Sequence, residues 1–112
     1  MKYLFLSLLA VAGLGLSIAC GTDLNAATPV TGVSEVVVKD MKFSPAVIEV
    51  PAGTTVTWRF QDSDTPHDVK GDGFQSEVMR EGTFTHTFTT PGTYDYKCTL
   101  HGQMKGRVIV TG

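Results

Sequence analysis

The chain has 112 residues, enough for one domain of the usual size, about 50–250 residues. Nine Lys and Arg against 11 Asp and Glu give a formal charge of −2, spread without charge blocks. That mild acidity excludes nucleic acid as a partner, which needs a basic footprint, and leaves the charge of any other partner undetermined.

Met1-Lys2 is a short basic start, and Tyr3 through Ala19 is almost wholly apolar or small. Residues 1–19 are therefore predicted to be a secretory signal peptide. A retained membrane helix needs roughly 20 apolar residues, and Gly13, Gly15 and Ser17 interrupt the end of this stretch, which fits cleavage better than spanning. Ser17-Ile18-Ala19-Cys20 resembles a bacterial lipobox, with Ser17 where leucine is commonest. On that resemblance Cys20 becomes the lipid-bearing first residue of the mature chain, and more than one acyl chain would hold it on a membrane. Cleavage after Ala19 or Ala27 without lipid is the alternative. Removal of residues 1–19 takes Lys2 and leaves a formal charge of −3.

Residues 20–32, rich in small and turn-forming types without an apolar period, read as a flexible tether. The folded domain is then predicted to span 33–112. From Val33 onward short apolar runs are separated by Pro, Gly, Asp and Thr, the cadence of an all-β sandwich or barrel. Val33 to Lys39 is the first run and Val47 to Val50 the next, ending at the turn Pro51-Ala52-Gly53. Val56, Trp58 and Phe60 alternate with Thr55, Thr57 and Arg59, so this strand is half-buried with Trp58 as a central core ring. Gln61 to Pro66 is a polar loop in which Asp62 and Asp64 supply turn chemistry. Lys70 to Gly82 lacks sustained periodicity and is expected to be irregular or a short helical turn, with Val78 and Met79 packing inward. Phe84, His86 and Phe88 alternate with threonines, and Pro91-Gly92 is expected to be a tight hairpin turn into the next strand. The count is about seven strands, and no helical pattern or internal repeat intervenes.

Tyr94, Tyr96 and Cys98 alternate with Thr93, Asp95 and Lys97, which points both rings and the thiol to the interior. His101 and Met104 follow in what reads as a short loop closed by Lys105-Gly106. A lone thiol in an exported chain is a liability unless something occupies it, and Cys98 is alone in the body of the chain. Singly, each of these residues has a plainer reading: Cys98 and Met104 as core, His101 as a loop residue. Together, a thiolate with imidazole suits copper or zinc, and a thioether is a weak, long axial donor to copper. The set needs a second imidazole, from His67 or His86. His67 is favoured, because it follows Pro66 at the opening of a short apolar segment, whereas His86 sits mid-strand and reads as a hydrogen-bonded structural histidine.

Phe43 through Trp58, Pro66-His67-Asp68-Val69, and Pro91 through Cys98 with His101 and Met104 resemble the cupredoxins of the plastocyanin group. The likeness covers nearly all of the chain from Val33 onward, and the short Cys-x2-His-x2-Met loop is most similar to that of the amicyanins. This resemblance implies a Greek-key β-sandwich, one type 1 copper ion held by His67, Cys98, His101 and Met104, and one-electron transfer; a copper oxidase or nitrite reductase would need further histidine-rich centres, and beyond these ligands only His86 remains. It also implies that His101 reaches the surface as the electron's port, bordered here by Leu100, Gly102 and Gln103. The residue after the first histidine, usually Asn in the family, helps pin the ligand loop; here it is Asp68. The expected protein is a monomeric electron carrier, exported and lipid-anchored in the periplasm or on the outer face of the cell membrane, meeting redox protein partners transiently. Copper storage or delivery with the same ligands is the rival reading.

Overall fold

In the structure, a computed structural model describing residues 23–112, alternating burial along the strands dictates two facing sheets. The predicted signal peptide, the lipid-bearing Cys20 and the first tether residues, Gly21 and Thr22, lie outside the described residues. The strands are β1 (Val30–Thr31), β2 (Glu35–Lys39), β3 (Lys42–Ser44), β4 (Val47–Pro51), β5 (Thr54–Gln61), β6 (Lys70–Gly71), β7 (Phe74–Gln75), β8 (Glu81–Phe88), β9 (Gly92–Cys98) and β10 (His101–Thr111). Seven of these are longer than two residues; six fall on the apolar runs read from the sequence, and β3 was not anticipated.

One sheet has the order β1-β4-β10-β9-β6-β7 and the other β3-β2-β5-β8. Most neighbours are antiparallel, but β4 runs parallel to β1 and to β10, and β2 runs parallel to β5. Parallel neighbours need crossover connections, so the all-β sandwich is not a chain of hairpins. The first sheet sends Ile48, Val50, Tyr96, Val108 and Val110 inward, and the second sends Val36, Val38, Val56, Trp58 and Phe60 to meet them. Trp58, fully buried, bridges the layers: its ring stands edge-on to Tyr96 at 5.3 Å and lies within 6 Å of Phe74 and Phe84. Burying such rings is worth about 25 cal/mol per Å² of apolar surface, the main favourable term for a domain this small.

Four local expectations change. Val30 and Thr31, inside the stretch read as tether, pair with Ile48 and Glu49 as an added edge. Lys70 to Gln75 forms a small antiparallel pair, β6 with β7, and no helical turn occurs in it. Val78 is 54% exposed, while Met79 packs against the core as expected. Pro91-Gly92 does not close a hairpin: β8 pairs with β5 and β9 with β10, so the turn carries the chain from one sheet to the other.

Candidate metal centre

β9 carries Cys98 inward because residues 94, 96 and 98 share one face, and the thiol is fully buried. The hairpin that follows is tighter than the sequence suggested. Thr99-Leu100 alone make the turn, and His101 already begins β10 opposite Cys98. The register then slips, because Lys97 pairs with Lys105. His101 through Met104 thus belong to an irregular strand end and not to a free loop. The slip sets the two residues apart: Met104 is buried at 1% exposure, while His101 stays half-buried at the rim.

His67 comes from the segment after the polar turn and is held by reciprocal backbone hydrogen bonds. Its N–H donates to the Met79 carbonyl at 3.1 Å, and the Met79 N–H donates back at 2.9 Å. Two residues on, Val69 and Ser76 exchange similar bonds at 2.8 and 2.9 Å, one of them through the serine hydroxyl. A backbone stitched at both ends leaves the His67 ring little freedom.

The donor atoms of His67, Cys98 and His101 lie within 4.8 Å of one another. Cys98 Sγ and His101 Nδ1 are 3.5 Å apart. Two donors bonded to one ion at about 2.0–2.3 Å, at a trigonal or tetrahedral angle, stand roughly 3.5 Å apart. The His67 and His101 rings are 5.0 Å apart, tilted by 60°. His67 is fully buried, and its Nδ1 has no hydrogen-bond partner. An orphaned nitrogen in the interior costs about 1–3 kcal/mol, a cost that a ligand on that lone pair removes. The residues present therefore fit a soft or borderline metal ion.

Asp68, 2% exposed, is not part of this cluster and is committed to the hairpin. One carboxylate oxygen accepts the Thr99 N–H and the other the Thr99 hydroxyl, both at 2.7 Å. The bidentate grip clamps the turn directly after Cys98. His86, by contrast, stacks on Phe74 at 4.7 Å and meets Phe88 edge-on, away from the donor cluster.

Two residues near the centre escaped the sequence reading. Asp62 Oδ2 lies 2.9 Å from His67 Nε2 and also accepts the Asp40 N–H at 3.2 Å. The hydrogen bond from His67 holds the Asp62 carboxyl below its usual range, against the opposing effect of burial. Met41, in the tight turn between β2 and β3, lines a concavity of about 300 Å³ with His101, Gly102, Gln103 and Met104. Met41 and Leu100 are each about half exposed beside it, at 50% and 48%. Leu100, Gly102 and Gln103 thus border His101 as expected, and Met41 joins them from across the sandwich.

Residues 7–110 match the Cupredoxin-like domain family. The chain is 39% identical over 87 residues to Amicyanin-alpha of Methylorubrum extorquens, with 70% of this chain and 72% of that protein covered. It is 36% identical over 93 residues to the amicyanin of Paracoccus denitrificans, covering 76% and 70% of the two chains. Among solved structures, a purple cupredoxin from Nitrosopumilus maritimus superposes with a TM-score of 0.65 at 29% identity, covering 70% of this chain and all of that one. An amicyanin variant in its reduced Cu(I) form at pH 4 gives the same TM-score at 34% identity, covering 71% and 83%.

Proposed function

The chain belongs to the cupredoxin-like family, and on that premise we propose that His67, Cys98, His101 and Met104 hold a type 1 centre through which it carries single electrons. Its cofactor is copper, one ion per chain, and it is an electron carrier and not an enzyme. The observation that carries the ligand assignment is the clustering of three donors within 4.8 Å around an imidazole whose buried Nδ1 has no other partner. The buried thioether of Met104 supports copper over zinc, since a weak axial sulfur is a copper preference.

Bound copper supplies the one-electron couple between Cu(II) and Cu(I). The chain's part is to keep its donors in one arrangement acceptable to both states, so that little moves when the electron arrives. The paired backbone of His67, the strand position of Cys98 and the Asp68 clamp on Thr99 serve that end. Buried apolar neighbours exclude water from the sulfur and tune the potential. His101, half-buried among Met41, Leu100 and Gly102, gives the electron a short route to a partner at the surface. A small, uncrowded rim suits the brief docking of weak electron-transfer encounters.

The chain is further read as exported through residues 1–19 and anchored by lipid on Cys20, working as a monomer with transient redox partners. The basic-then-apolar start and the Ser17-Ile18-Ala19-Cys20 motif support this. In cells, the unaltered chain should sediment with membranes and Cys20→Ser should not; equal partition of the two would remove the anchor. For the electron-transfer reading, the full chain is loaded with Cu(II) and studied by voltammetry. A reversible one-electron wave with an intense blue oxidised form is expected. A colourless, labile Cu(I) protein without such a wave would favour storage or delivery instead.

A further inference from the structure

We propose that Asp62 is a positioning residue of the metal centre: its carboxylate, acting through Nε2 of His67, fixes the imidazole tautomer that presents Nδ1 and biases the site toward the oxidised ion. This rests on the copper reading above. A neutral imidazole has one N–H and one lone pair, and an ionised carboxylate can only accept a hydrogen bond. The 2.9 Å contact between Asp62 Oδ2 and His67 Nε2 therefore requires the proton on Nε2. The lone pair is then on Nδ1, the nitrogen that is buried without a partner.

Asp62 is not explained by its turn alone. The turn is already closed by backbone, the Asp62 carbonyl accepting the Thr65 N–H at 3.3 Å. The side chain instead turns back to the His67 ring, and its Oδ2 also accepts the Asp40 N–H from the β2–β3 turn that carries Met41. One oxygen thus joins the ligand imidazole to the turn that borders the His101 rim. The side chain of Asp62 is only 15% exposed and that of His67 is fully buried, so solvent screens this bond little. An anion on the far nitrogen of a ligating imidazole makes it a stronger donor, and stronger donation favours the more highly charged metal ion.

The test uses the full chain, unaltered and as Asp62→Asn and Asp62→Ala. Three quantities are measured: Cu(II) affinity by competition with a chelator, the reduction potential, and the His67 tautomer in the copper-free protein by 15N NMR. The unaltered chain should show the Nε2–H tautomer. Asp62→Ala should lose about tenfold or more in Cu(II) affinity and less in Cu(I) affinity. The potential then rises, by about 59 mV for each tenfold change in the ratio of the two affinities. Asp62→Asn keeps an acceptor oxygen without the charge, so it should preserve the tautomer and still raise the potential. Variants that differ from the unaltered chain in thermal stability alone, with affinity within about twofold and potential unmoved, would overturn the proposal while leaving the copper reading intact. An unaltered chain that takes up no copper would overturn the copper reading, and this proposal with it.

Discussion

Asp68 shows how much a single side chain contributes beside the candidate donors without joining their cluster. Both of its oxygens are committed to Thr99, and it is almost wholly buried. Asp68→Ala leaves the Thr99 N–H and hydroxyl without their acceptors, at a cost of about 1–3 kcal/mol, read as a lower urea midpoint in the copper-free chain. Asp68→Asn keeps one acceptor oxygen and should lose less. Equal stability of Asp68→Ala and the unaltered chain would show that the clamp is incidental. The nearness of Cys98 and His101 was legible because strand parity and short spacing bring them together locally, and Pro66 marked His67. Asp62 was not legible. It stands in a polar stretch whose composition already accounts for a turn, and its partner is decided by how that stretch folds back onto His67. Met41 was hidden for a related reason: only the pairing of β2 with β3 brings its turn to the His101 rim.

At the level of strands, β9 and β10 interlock through a ring laid over a missing side chain. Tyr96 stands directly opposite Gly106, and a Cβ at Gly106 would run into the Tyr96 ring and hydroxyl. Gly106→Ala should therefore destabilise by about 1–3 kcal/mol through overpacking, seen in chemical denaturation; a loss under about 0.5 kcal/mol would mean that the ring shifts freely. The sequence presented Gly106 as the close of a loop, and its packing role appears only once Tyr96 is opposite it. The same strand pair carries Arg107 across from Asp95, in a bidentate contact at 2.6 and 3.1 Å. Arg107 lowers the Asp95 pKa from its ordinary 3.8. A carboxyl with a depressed folded-state value stabilises the fold above its ordinary value, and that contribution is lost as pH falls through the lower, folded value. Asp95→Asn should accordingly match the unaltered chain at low pH and fall below it at neutrality, by a small amount for a pair this exposed, so that the acid limb is flatter by that same amount. An unchanged acid limb would show that the pair is without consequence. The Pro91-Gly92 turn misled because a sharp reversal looks the same in sequence whether it closes a hairpin or crosses between layers.

For the molecule as a whole, two sheets sealed by Trp58 and its neighbouring rings make a frame on which two candidate donors from one hairpin, Cys98 and His101, meet a third, His67, from a distant segment. The all-β class was readable because strands two residues in period leave a clear alternation, most plainly at Val56, Trp58 and Phe60. The parallel pairings were not, since they depend on which distant strands lie side by side in each sheet and not on any local pattern. A ligand that binds the folded chain alone stabilises it by mass action, so copper should raise the unfolding temperature only while its donors are intact. The direct measurement is the visible absorption spectrum of the Cu(II)-loaded full chain beside Cys98→Ser, His67→Ala and His86→Ala. The intense thiolate-to-copper band should be present in the unaltered chain and in His86→Ala, absent in Cys98→Ser, and lost or strongly altered in His67→Ala. A band that survives replacement of Cys98, or that depends on His86 and not on His67, would contradict the centre described here.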